Sequence, residues 1–219
     1  MKNNIEKGLL TSVLPVGSTI TGKANLLVLL FAVLFTASCK KEKVIPPVHK
    51  PEEITYKYFD LKDHQIPWWG SNMAIDVNGD KKAELFFTKQ LVGDAINKVD
   101  KRQWLITSNF YTYLPVNAME TIPVLEKDSN IPFSNFNGYN WYNASSIVLI
   151  ERVEDIHGHF TWNGAWLNHQ KKFLPFQVLE GHKRYNGWVE ISTDQYAEQI
   201  ILHRAAISNA PNVDIIAGK

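Results

Sequence analysis

The chain has 219 residues, 45% of them hydrophobic and 21% charged, with a formal net charge of +1. This is the composition of a globular protein, and a near-neutral body without a basic cluster excludes nucleic acid as the partner. A single cysteine, Cys39, excludes a disulfide framework.

Residues 1–38 read as an export signal. Lys2, Lys7 and Lys23 precede the apolar run from Leu26 to Phe35, which is too short to cross a hydrocarbon core that needs roughly 20 residues but suits a signal-peptide core. The small residues Thr36-Ala37-Ser38 ahead of Cys39 resemble the lipobox of bacterial lipoproteins. That resemblance implies lipidation of Cys39 as the mature N-terminus and a lipid anchor in the bacterial outer membrane, periplasmic or surface-exposed. Residues 39–53 carry Pro46, Pro47 and Pro51 among charges and form an extended linker between anchor and domain.

The folded domain is expected over residues 54–219. Ile54 to Tyr58 alternates apolar and polar residues, the period of a half-buried strand, and His64 to Ser71 is expected as a loop punctuated by Pro67 and Gly70. Two strand-like runs, Met73-Ala74-Ile75 and Leu85 to Val92, flank the stretch Asp76-Val77-Asn78-Gly79-Asp80-Lys81-Lys82-Ala83-Glu84. Trp104 to Leu114 is rich in aromatic and β-branched residues and forms one long or two short strands. Residues 117–142, with Pro123, Pro132 and Gly138, are mostly turn and loop with a short helical turn at 124–127. Ser145 to Val153 is a central strand. Asn163-Gly164, between Phe160 and Trp166, is a strong hairpin signal because both turn positions require positive φ. Phe173 to Leu179 is interrupted by Pro175 and is therefore expected at an edge or a bulge. Tyr185 to Ser192 and Gln199 to Ala206 pair around Thr193-Asp194. Short strands, irregular turns and no long amphipathic helix make the domain all-β, a β-sandwich of jelly-roll-like type with a loop-rich middle.

The chemistry concentrates in the loop between the first two strands of the hairpin. Asp76, Asn78, Asp80 and Glu84 supply side-chain oxygens, and Lys82 a backbone carbonyl, at the spacing by which one turn of backbone surrounds a hard cation. Calcium in a structural role is the expected cofactor, pinning the hairpin between Ile75 and Leu85. Lys81 stands where such a loop favours glycine for its sharp turn.

The export signal, the Asp76-x-Asn78-x-Asp80-x-x-x-Glu84 loop and the C-terminal run of Phe173-Leu-Pro-Phe176, Tyr185-Asn-Gly-Trp-Val-Glu-Ile191 and Ile200-Ile-Leu-His-Arg-Ala-Ala206 together resemble a loose group of secreted all-β proteins of Bacteroidetes-type bacteria. The resemblance implies the fold, export and a structural ion. It brings no activity with it.

Three further readings follow from residue type. His157-Gly158-His159 spaces two imidazoles on one face of a strand near Glu151, Glu154 and Asp155, although a solvated hairpin accounts for the same residues. There is no Gly-x-Ser-x-Gly elbow, and no pair of carboxylates is singled out for glycoside hydrolysis, so a binding or structural role is favoured over an enzyme. Among seven tryptophans, Trp104 and Trp188 sit in strand patterns and belong to the core. Trp68, Trp69, Trp141, Trp162 and Trp166 occupy loops or hairpin flanks and are the candidates for stacking on a glycan.

Overall fold

The computed structural model describes residues 53–219. The signal, Cys39 and all of the linker except its last residue lie outside the described residues. Thirteen strands and no helix occur among them, in an all-β sandwich. One sheet joins β1 (Tyr56–Pro67), β12 (Gln199–Ser208), β11 (Lys183–Asp194), β10 (Lys172–Glu180), β5 (Thr112–Val116) and β7 (Asn140–Asn143) in that order. The other joins β2 (Met73–Ile75), β3 (Leu85–Asp94), β4 (Val99–Ser108), β8 (Ser146–Asp155) and β9 (Phe160–Asn163). A two-stranded ribbon pairs β6 (Asn130–Ile131) with β13 (Ile215–Ile216).

The period-2 alternation of the strands explains the layering. Leu85 and Phe87 of β3, Trp104 and Ile106 of β4, and Leu149 and Ile150 of β8 are buried against Leu174 and Phe176 of β10, Val189 and Ile191 of β11, and Leu202 and Ala205 of β12. These side chains form the sandwich core. On the outer face of the six-stranded sheet a second cluster gathers Trp141, Phe173, Trp188 and Ala206 beneath the β6–β13 ribbon, with Ile131, Ile215 and Ala217 above. Trp188 Nε1 donates to the Lys219 carbonyl at 3.1 Å, and Asn186 Nδ2 donates to the carbonyls of Ile131 and Val213. The C-terminal tail is thereby strapped over an otherwise exposed apolar face.

Several expectations change. β1 does not stop at Tyr58 but runs to Pro67 through a bulge, with Lys62 and Asp63 at positive φ. The bulge interrupts the alternation by which a strand is recognised. Residues 124–127 form no helical turn, because Leu125 bridges to Phe173 instead. Asn163-Gly164 closes no hairpin; the turn linking β8 and β9 lies around Gly158. Gly164 is needed for close approach, since a Cβ there would overlap the Leu149 carbonyl oxygen, and Trp166 N donates to that same carbonyl. Pro175 lies in neither an edge nor a bulge. β10 is paired throughout with β11 on one side, while on the other β5 reaches only Gln177 and Val178. Pro175 occupies the gap, where no partner strand asks for its missing N–H.

Candidate metal centre

The loop between β2 and β3 caps the hairpin whose register sets Ile75 opposite Leu85. Val77 is fully buried and roots the loop in the core, while the chain on either side turns back on its own carboxylates. Asp76 Oδ1 accepts from the amides of Asn78 and Gly79, and Oδ2 accepts from Lys81 N at 2.8 Å. Asn78 Oδ1 accepts from Asp80 N at 2.9 Å, Asp80 Oδ1 from Lys82 N at 2.8 Å, and Glu84 Oε2 from Val77 N at 2.9 Å. Each carboxylate oxygen has a second lone pair, so an oxygen oriented by one amide can still face a cation. Gly79 and Lys81 take the two positive-φ positions. Lys81 therefore adopts the backbone shape that glycine takes more cheaply.

The fold brings Asp76, Asp80 and Glu84 together, with one oxygen of each within 4.8 Å of the others. Glu84 is 3% exposed. Burial raises its pKa to about 7, helped by the charges of Asp76 and Asp80 and opposed by the Val77 amide. For Asp76 burial is again the largest influence and raises the pKa, but the amides of Gly79, Lys81, Asn78 and Asp80 together outweigh it and hold the carboxyl below its ordinary value. One cluster thus contains a carboxylate whose negative charge the backbone amides stabilise and a second that burial leaves in want of a positive partner.

The loop also ties the two sheets. Lys57 Nζ of β1 donates to the Asn78 carbonyl at 2.6 Å, and Asn78 Nδ2 donates to Glu180 Oε1 at the end of β10 at 3.1 Å. From below, Asn109 donates its side-chain amide to the Ala83 carbonyl and its backbone amide to the Glu84 carbonyl. Of the expected ligands, Lys82 is exposed and its amide serves Asp80, leaving its carbonyl as the group offered to an ion.

The other sequence candidates separate. His157 and His159 lie in the exposed β8–β9 turn with ring centroids 6.3 Å apart, and His159 Nδ1 lies 3.1 Å from Asp155 Oδ2. Asp155 also accepts from the amides of both histidines, so the group is a capped turn. Two tryptophans proposed for stacking are core instead: Trp166 is fully buried with Nε1 donating to the Ile122 carbonyl, and Trp141 is 8% exposed with Nε1 donating to the Ser134 carbonyl. Trp141 lies on the four-residue β7 and Trp166 in the loop after β9, segments too short or too irregular for periodicity to declare burial. Trp68 and Trp162 are half-buried, and Trp69 is 84% exposed.

One constellation was not singled out from the sequence. Where β1 bulges against β12, Asp63 Oδ1 lies 2.5 Å from His203 Nδ1, and His203 Nε2 lies 2.7 Å from Ser192 Oγ. The order is that of a Ser-His-Asp relay, but the environments are inverted. Ser192 is 1% exposed and its Oγ accepts from Lys171 N, whereas the Asp63 side chain is 76% exposed. Acyl transfer needs an open nucleophile and a shielded carboxylate. The three residues act as a strap across the bulge, and His203 breaking the apolar run Ile200-Ile201-Leu202 was the available signal. Comparison with protein-family models, curated proteins and solved structures returned no match, so the resemblance to secreted Bacteroidetes-type proteins rests on the short motifs alone.

Proposed function

We propose that the protein is a cell-envelope β-sandwich, anchored in the outer membrane through a lipid on Cys39, whose Asp76–Glu84 loop takes a structural calcium ion and whose role is binding or structural. The observation that carries the cation reading is the convergence of Asp76, Asp80 and Glu84 on a loop that already bonds to both sheets. A divalent ion there neutralises the buried Glu84 and braces the hairpin against β1 and β10. Calcium fits the donor set, which is oxygen only, because it takes oxygen ligands in variable geometry. The supports for the anchor are the short apolar run and the small residues before Cys39.

Two measurements test the reading. Terbium luminescence sensitised by the protein's aromatic residues should saturate in the purified wild type, be displaced by calcium, and vanish in Asp76→Ala. A wild-type signal no greater than that of Asp76→Ala would remove the ion from the account. For the anchor, Cys39→Ala should leave the protein in the aqueous phase on detergent partitioning, and equal membrane retention of the variant would reject it.

A further inference from the structure

We propose that the Trp68–Trp69 turn and the charged residues beside it bind a neutral polysaccharide, with the open face of Trp69 as the platform for a sugar ring. This site lies at the far end of β1 and β3 from the cation loop, and the inference stands independently of that loop.

The turn is held in place by three elements. Lys89 Nζ of β3 donates to the Pro67 carbonyl at 2.9 Å and to the Gly70 carbonyl at 2.6 Å. Trp68 N donates to the Glu198 carbonyl at 3.1 Å, Gly70 N to the Pro67 carbonyl at 2.9 Å, and Trp104 Nε1 to the Ile66 carbonyl at 3.1 Å. Gly70 has no room for a Cβ, which would sit 2.7 Å from the Pro67 ring. Beneath the turn, Trp69, Trp68, Trp104 and Trp162 form a chain of ring contacts with centroids 6.3, 5.2 and 5.7 Å apart. Trp104 is fully buried, so the chain runs from the core to an indole that is 84% exposed. Trp69 shares this surface with Leu91, 62% exposed, so the apolar area is a patch and not a lone side chain, and apolar patches mark interaction sites. The support also lowers the entropy lost on binding.

The polar groups identify the ligand. The Arg102 guanidinium carbon lies 5.6 Å from the Trp68 ring and 5.7 Å from the Trp69 ring. Arg102 and Arg152 are each paired with both Glu154 and Glu198, at 3.2 to 3.9 Å. Two positive and two negative groups close on one another, and the charge left over at the depression is the exposed Asp100 carboxylate, which repels an anionic ligand and can accept from a hydroxyl. What remains on offer is a flat apolar face beside fixed donors and acceptors, in a shallow depression of about 270 Å³ that Leu91 and Asp100 complete. A pyranose ring has the complementary chemistry: a face of C–H groups to lie on the indole, and an edge of hydroxyls that each donate and accept. Trp69 at this depression is 84% exposed, so the sugar ring that lies on it need not be the end of a chain.

The test uses the purified protein and a panel of neutral oligosaccharides: cellohexaose, laminarihexaose, maltohexaose, xylohexaose and mannohexaose. Binding is read by calorimetry and by tryptophan fluorescence, alongside polygalacturonate, a proline-rich peptide and sedimentation of the protein alone. At least one neutral oligosaccharide should bind and shift the fluorescence. Trp69→Ala should weaken that binding at least tenfold with an unchanged melting temperature, Trp69→Phe should restore part of it, and Glu154→Gln should weaken it less than Trp69→Ala. The proposal is overturned if the whole neutral panel fails to bind, if Trp69→Ala binds as well as wild type, if only polygalacturonate or the peptide binds, or if Trp69 instead joins two copies of the chain.

Discussion

β3 joins two ends of the sandwich that break the usual arrangement of apolar inside and polar outside in opposite directions. At its Leu85 end the chain turns charge inward, with Glu84 buried beside Asp76 and Asp80. At its Leu91 end it turns apolar surface outward, with Trp69 and Leu91 in solvent at 84% and 62% exposure. Both departures are fixed by hydrogen bonds from neighbouring strands: Lys57 and Asn109 hold the acidic loop, and Lys89 and the Glu198 carbonyl hold the tryptophan turn. On a slack loop a charged group can swing out to water and an apolar ring can fold back onto the protein. On a braced loop a buried charge or an exposed ring persists only because the surrounding fold enforces it.

Both ends rest on one core, and the largest effect is expected there. Trp104→Ala removes a fully buried indole that supports the tryptophan turn and donates to the Ile66 carbonyl, and should lower stability by about 3–5 kcal/mol in denaturant titration. The loss should be the same in calcium and in chelator if the two ends are energetically separate. Lys89→Met severs the two donated bonds under the Trp68–Trp69 turn. Burial lowers the Lys89 pKa, so the ammonium is already partly desolvated, and the net loss should be about 1–3 kcal/mol, with increased mobility of Trp69 in fluorescence anisotropy. Trp69→Ala should change stability by less than about 0.5 kcal/mol, since little of the side chain is buried. A large loss there would make Trp69 a packing residue and dissolve the contrast between the ends.

How much of this was legible in the sequence depends on how local the signal was. The hairpin of β2 and β3, the loop it carries, β8 as an interior strand and the pairing of β11 with β12 are all encoded in runs of fewer than about a dozen residues, where alternation and turn chemistry act directly. Asn163-Gly164 misled because its glycine serves contact with Leu149, which is distant in sequence. Pro175 misled because the gap beside β10 is created by the short reach of β5. The tryptophans divide the same way: a residue inside a long strand pattern declares its face, whereas Trp141 on the four-residue β7 and Trp166 in the loop after β9 do not, and their burial is decided by the β6–β13 ribbon and by Ile122. Lys89, Arg102 and Glu198 could not be joined to Trp69 from sequence at all, since only the antiparallel registers bring them together.

Whether Glu84 is held in the core to meet a cation is read from the stability of the purified wild type as a function of pH, with calcium and with chelator. Without the ion, the folded-state pKa near 7 lies above the ordinary glutamate value of 4.5, so the folded protein holds its proton more tightly. Stability should then fall as pH rises from about 4.5 to 7 and level off above that. Saturating calcium should remove this fall and add about 2.7 kcal/mol at a hundredfold excess over Kd, and Glu84→Gln should abolish both the pH dependence and the calcium response. A wild-type melting temperature indifferent to calcium and chelator at pH 8, where Glu84 is ionised, would contradict the claim and leave the loop as a polar turn.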